Sequence, residues 1–149
     1  MPSVSRPERM AEPYLPGQEI TISVFPDGTS LPIAERFAQK NGIAPYNSDV
    51  PVTQSSRAVT EETAAQHAIR QACEQAVLAL DLKGLVRIDC RAAADGAYYM
   101  FDFNPKPNLT GAARPHRMNQ NCLTMIFAAA QGWSYFDLLH KMSESRRQL

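Results

Sequence analysis

Gly84–Thr110, GLVRIDCRAAADGAYYMFDFNPKPNLT, decides the reading of this chain. Two apolar-rich runs, Leu85–Ala92 and Ala97–Asn104, flank an Ala-Asp-Gly turn, the signature of an antiparallel hairpin. Within it Asp89 lies between Ile88 and Cys90, and Asp102 between Phe101 and Phe103. With a period of two, both carboxylates project from the face opposite those neighbours, and Asp102 and Asn104 share a face. Two acids and an amide oxygen on adjacent strands are hard donors. They suit Mg2+, which takes one or two carboxylates, keeps water and draws further ligands from phosphates. The same residues also fit a pair of surface acids on an exposed sheet face, with Arg87 salt-bridged to Asp89 two positions on.

Outward from the hairpin, Glu19–Phe25 alternates, with Ile20, Ile22 and Val24 inward and Thr21 and Ser23 outward. Pro26-Asp27-Gly28 turns it toward a second strand near Leu31–Ala34. Residues 39–56 carry Gly42, Pro45, Pro51 and several Asn and Ser, a composition for a long active-site loop. Thr60 is the predicted cap of a helix reaching Leu82, with Ile69, Ala72, Cys73, Ala76, Val77 and Leu80 on one face and Gly84 ending it. A second helix is predicted over Asn119–Ala130, stopped at Gly132, and a third from the cap Ser134 to about Ser143. Strands of mainly antiparallel pairing flanked by helices make the fold class α+β.

The bulk numbers narrow the function. At 149 residues one domain is expected, and 15 basic against 15 acidic residues give no charge for a nucleic acid or an anionic membrane. Cys73, Cys90 and Cys122 have neither CxxC nor CxxH spacing, so reduced thiols are expected rather than a disulfide frame or zinc site. No run approaches the roughly 20 apolar residues of a spanning helix, and a cytoplasmic location is the expectation. Residues 1–11, rich in Pro, Ser and charge, are expected to form a flexible arm. His67 and His140 read as surface residues, Trp133 as a core anchor and Cys90 as a small core hydrophobe.

These residues also form an ordered set. Arg87-x-Asp89, Asp102-x-Asn104-x-x-Pro107-x-x-Thr110 and Gly132-Trp133-Ser134-Tyr135 follow one another, preceded by Glu12-Pro-Tyr-Leu15-Pro-Gly-Gln-Glu19. From Glu12 onward the chain resembles the C-terminal part of the ATP-grasp ligases, most closely the D-alanine:D-alanine ligase branch. The resemblance implies that residues 12–149 form the C-terminal lobe of a carboxylate–amine ligase working through an acylphosphate. It implies ATP and Mg2+ as cofactors and a small amino-acid-like substrate. In that pattern Glu12 faces the adenine amino group, the backbone at Leu15 meets the ring edge and Glu19 binds ribose hydroxyls. Asp89, Asp102 and Asn104 hold magnesium, Arg87 faces the oxygens that become negative during acyl transfer, and Lys40 contacts phosphate.

Two departures accompany it. Asp102 stands where the family usually has glutamate. After Thr110 the ligases place a carboxylate-binding serine, whereas this chain reads Gly111-Ala112-Ala113-Arg114-Pro115. Thr110, Gly111 and Arg114, with His116 and Arg117 nearby, are the candidate substrate-carboxylate contacts. The family's N-terminal substrate domain and small ATP lobe, with its glycine-rich loop, would precede residue 12. The expectation is therefore a fragment, one half of a two-chain enzyme completed by a second chain, or an inert remnant of a truncated gene serving as a nucleotide-binding or interaction module, with a homodimer as a further reading.

Overall fold

The computed structural model describes residues 11–37, 55–111, 118 and 121–146. In chain order the elements are β1 (Glu19–Val24), β2 (Ala34–Arg36), β3 (Ser56–Ala58), α1 (Ala64–Ala79), β4 (Val86–Ala92), β5 (Tyr98–Asn104), α2 (Leu123–Ala130) and α3 (Tyr135–Glu144). The strands form one sheet in the order β3-β2-β1-β4-β5, with every neighbouring pair antiparallel. The expected α+β class is the observed one. The expected arm lies almost wholly outside the described residues, as does most of the 39–56 loop.

β1 sits at the centre because its β-branched run packs on both faces. Ile20, Ile22 and Val24 form one core with Ile69, Cys73 and Val77 of α1 and with Val86, Ile88 and Cys90 of β4. Thr21 and Ser23, expected to face outward, are fully buried. The reason is a second layer: Phe25, Leu31 and Ala34 form another core with Leu123, Met125, Phe127 and Ala128 of α2 and Leu138 of α3. Ser23 Oγ lies 3.5 Å from Thr124 Oγ1 of α2. β1 is thus a two-sided strand whose alternation separates an apolar face from a polar one.

Local chemistry moved several expected boundaries. α1 is capped by Thr63 rather than Thr60, because Thr63 has Gln66 three residues on. The Thr63 hydroxyl accepts from Gln66 N–H at 3.2 Å and the Gln66 amide oxygen accepts from Thr63 N–H at 2.9 Å. The helix stops before Gly84: Asp81 adopts φ 50°, and Leu82 N–H and Asp81 N–H donate to the Val77 and Leu78 carbonyls, both at 3.1 Å. β2 begins at Ala34, later than expected, since Leu31 and Ile33 are buried in the connection leading to it. α2 begins at Leu123, several residues after Asn119. α3 starts as expected, with Ser134 and Asp137 closing a capping box.

The hairpin of β4 and β5 contains the feature on which the site turns. Tyr98 and Met100 pack on the α1 side, so strict alternation would carry Asp102 and Asn104 to that side too. Instead the pairing shifts: Cys90 pairs with Met100 but Asp89 pairs with Asp102, leaving Phe101 as the extra residue of a β-bulge. Asp102 therefore faces Asp89, and Asn104 faces Arg87, on the polar side of the sheet.

Ile22 is fully buried at the middle of this core. Ile22→Ala is expected to lower unfolding stability by about 2–5 kcal/mol, read as a shift in urea midpoint at unchanged slope. A change below about 1 kcal/mol would mean that the α1 face is not packed as described.

Candidate functional site

On the polar face, side chains from successive strands meet in three cross-strand rows, each two residues or about 6.8 Å from the next along β1 and β4, with the bulge adding one residue on β5. The first row holds Ser23, Arg87 and Asn104, the second Thr21, Asp89 and Asp102, and the third Arg36, Glu19, Arg91 and Tyr99. Guanidinium and carboxylate groups thus alternate along β4 and across the third row, while the second row sets two carboxylates, Asp89 and Asp102, side by side.

Asp89 is the buried centre of the arrangement, with its residue 8% exposed. Its Oδ1 accepts a hydrogen bond from the Thr21 hydroxyl at 2.7 Å, and its Oδ2 pairs with Arg87 Nη2 at 3.0 Å. Each oxygen keeps a lone pair for a further donor or ion. Asp102 is exposed opposite it. The Asn104 amide oxygen accepts from Lys106 N–H at 3.0 Å, which fixes the amide at the strand end. Arg87 is mostly buried, and its Nε–H has no hydrogen-bond partner among the described residues. A buried guanidinium N–H left without an acceptor is a place for ligand oxygens.

Glu19 lies one row beyond Asp89. Arg36 Nη1 is 3.9 Å from its carboxylate, and Arg91 pairs with it across β4. Burial pushes the Glu19 carboxyl above its ordinary value of 4.5; the pull of Arg36 opposes this, and the charge of Asp89 reinforces it. Upstream, residues 11–18 run without helix or strand, with Glu12 exposed and Leu15 half-buried. Gln18 Nε2 donates to the Arg36 carbonyl, and Gly17 N–H donates to the Ala92 carbonyl at 2.9 Å.

The structure brings Arg87, Asp89, Asp102, Asn104 and Glu19 onto one face. The expected Arg87–Asp89 salt bridge exists within that cluster rather than in place of it. Thr110 and Gly111 sit toward the helices: Thr110 is bonded to Asn108 Oδ1 and accepts from Cys122 N–H at 3.2 Å, and Gly111 lies beside Tyr135 of α3. Lys40 and Arg114, with Pro51, His116 and Arg117, fall outside the described residues. His67 and His140 are exposed and Trp133 packs on Phe25, as the sequence suggests. Cys73, Cys90 and Cys122 are buried thiols outside any disulfide, with the Cys73 and Cys90 sulfurs 3.7 Å apart.

Sequence reasoning missed Thr21, Arg36 and Arg91. Thr21 carried a signal, its alternation with Ile20 and Ile22, but not the burial that makes its hydroxyl a fixed donor. Arg36 and Arg91 are isolated basic residues, made members of the site only by strand register. Among the described residues no cluster of three or more His, Cys, Asp and Glu is placed to hold a metal. The donor set is the two-acid-plus-amide kind, which suits a cation that keeps water and shares phosphate ligands.

Residues 6–144 match the family described as D-ala D-ala ligase C-terminus. A D-alanine–D-alanine ligase from Synechococcus sp. (strain JA-3-3Ab) is 28% identical over 141 residues, covering 92% of this chain and 40% of that protein. One from Gloeobacter violaceus is 30% identical over 109 residues, covering 72% of this chain and 36% of its own length. The chain thus spans well under half the length of these curated relatives. The D-alanine–D-alanine ligase of Bacillus anthracis, solved in complex with ATP, superposes with a TM-score of 0.64 at 24% identity, over 89% of this chain and 37% of that one.

Two outcomes follow from the site geometry. Thr21→Val removes one of the two donors to a buried carboxylate and is expected to cost about 1–3 kcal/mol in urea unfolding; an unchanged midpoint would mean that Arg87 alone holds Asp89. Because the Glu19 carboxyl titrates above 4.5 in the folded chain, its contribution to stability is full below that value and declines as pH rises through the folded value. Glu19→Gln lacks this loss, so its stability relative to the parent should climb as pH rises above the ordinary carboxyl value of 4.5. A difference independent of pH would refute the assignment.

Proposed function

The chain belongs to the family of D-alanine–D-alanine ligase C-terminal domains, in the ATP-grasp class, and on that premise we propose that it is the nucleotide- and metal-holding lobe of an ATP-dependent carboxylate–amine ligase. The observation that carries this reading is the pairing of Asp102 with Asp89 and of Asn104 with Arg87 on one polar face. That arrangement places two carboxylates, an amide oxygen and a guanidinium within adjacent rows. ATP bound to the Bacillus anthracis relative supports the nucleotide assignment.

In this reading Asp89, Asp102 and Asn104 hold Mg2+, which when bound neutralises phosphate charge during transfer to a carboxylate. Asp102 lacks one methylene of the usual glutamate, and it lies directly opposite Asp89 with its carboxylate exposed, so the residues present fit the ion. Thr21 holds one oxygen of Asp89, leaving the carboxylate oriented before any ligand arrives. Arg87, anchored on Asp89 through Nη2, supplies the guanidinium for oxygens that gain charge in the acyl-transfer step, where a fixed donor in a partly buried site stabilises most. Glu19, one row further along, accepts from ribose hydroxyls, and Glu12 and Leu15 meet the base. Lys40 contacts phosphate, while Thr110, Gly111 and Arg114 receive the carboxylate of a small amino-acid-like substrate. The lobe acts in the cytoplasm, where ATP is supplied, and works together with a phosphate-covering lobe of the kind found in the longer relatives, whether from its own or a separate chain.

Calorimetric titration of the chain with ATP and Mg2+ tests this. Binding is expected to require Mg2+ and to weaken by about tenfold or more, roughly 1.4 kcal/mol, in Asp102→Ala. Metal-independent binding, or binding indifferent to Asp102, would refute the metal assignment. No binding at millimolar nucleotide would leave an inert member of the family.

A further inference from the structure

We infer that Arg91 is a positioning residue that straps the 11–18 segment to β4, so that recognition of the nucleobase, but not of the polyphosphate, depends on it. The inference rests on the ligase reading above, which puts Glu12 and Leu15 against the base.

The segment has no helix or strand of its own, and its downstream end is fixed by backbone. Gly17 N–H donates to the Ala92 carbonyl at 2.9 Å, and Ala92 N–H donates to the Gln18 carbonyl at 3.0 Å. The approach at Gly17 is so close that a Cβ there would sit 2.7 Å from both the Ala92 Cβ and the Ala92 carbonyl oxygen. These bonds hold Gly17 and Gln18, and neither of them reaches residues 11–16. Arg91 reaches both parts. Its Nε donates to the Gly17 carbonyl at 3.3 Å, and its guanidinium carbon lies 5.5 Å from the centre of the Tyr14 ring. One planar group therefore holds the fixed end through a hydrogen bond and the upstream end through a cation–π contact. Arg91 also pairs with Glu19 across the ladder, so the strap is tied to the row that receives ribose. Tyr14 is otherwise 65% exposed, which leaves its position dependent on this contact.

Lysine preserves the charge of Arg91 but neither the planar stack nor the Nε–H; methionine preserves only its length. The test is hydrogen exchange by mass spectrometry on the full chain, its Arg91→Lys and its Arg91→Met, with circular dichroism to confirm folding. It is paired with titrations by Mg-ATP and by Mg-tripolyphosphate, which lacks the base. Arg91→Met is expected to raise exchange in residues 11–18 about tenfold while α1 is unchanged. It should also weaken ATP about fivefold or more and leave tripolyphosphate within about twofold, with Arg91→Lys intermediate. Unchanged exchange in 11–18 would overturn the strap. Equal weakening of ATP and tripolyphosphate would overturn the base-specific role and make Arg91 a plain cation for phosphate. If Arg91→Met alone fails to fold, Arg91→Lys decides by the same criteria. If the parent chain binds neither ligand, the ligase reading fails, and exchange alone decides whether the strap exists.

Discussion

The antiparallel register of β1 on β4 is the constraint from which the other features follow. Six consecutive pairs, from Glu19 with Arg91 to Val24 with Val86, lock the two central strands together. Because β1 is buried on both faces, a slip of one residue would exchange Ile20, Ile22 and Val24 for Thr21 and Ser23 in the α1 core. The same slip on β4 would carry Asp89 into that core. An unpaired carboxylate among Ile69, Cys73 and Val77 would be strongly unfavourable, so burial and electrostatics enforce one register. Arg87 and Arg91 take their places around Glu19 and Asp89 as a result, and the β1–β2 pairing adds Arg36 opposite Glu19.

Under the proposed ligase reading, that arrangement meets a conflict any carboxylate face for a cation would have to resolve. Carboxylates must be dehydrated enough to bind a cation, yet a buried unpaired charge is costly. Here Thr21 and Arg87 each hold one oxygen of Asp89, while Asp102 stays exposed opposite it. One acid is thus held in place and the other is free to adjust. The bulge at Phe101 serves both layers: it lets Tyr98 and Met100 pack against α1 and still delivers Asp102 and Asn104 to the opposite face.

Much of this was legible in the sequence, for identifiable reasons. The β4–β5 hairpin was announced by its Asp-Gly turn, and Gly96 has the positive φ of 85° that such a turn needs. Ser134 marked the start of α3, where the structure closes a capping box with Asp137. The bulge was not legible, because Tyr98–Asn104 contains no glycine to mark an irregularity and its aromatic run is compatible with unbroken alternation. The two-sided burial of β1 was missed because threonine and serine read as solvent-facing until Ser23 is seen against Thr124 of α2 and Thr21 against Asp89. Arg36 and Arg91 could not be assigned, since each joins the site only through cross-strand pairing with a residue far away in sequence. The end of α1 was misplaced because Asp81, a residue uncommon at positive φ, took the role expected of Gly84.

The most direct measurement is a crystal of the chain grown with Mn2+ and a non-hydrolysable ATP analogue, with anomalous diffraction recorded at the manganese edge. The expected result is an anomalous peak between Asp89 and Asp102, at coordination distance from carboxylate oxygens and bridged to the analogue's phosphates. A manganese peak elsewhere with this face empty, or a nucleotide bound away from the Glu19 row, would contradict the assignment of the site.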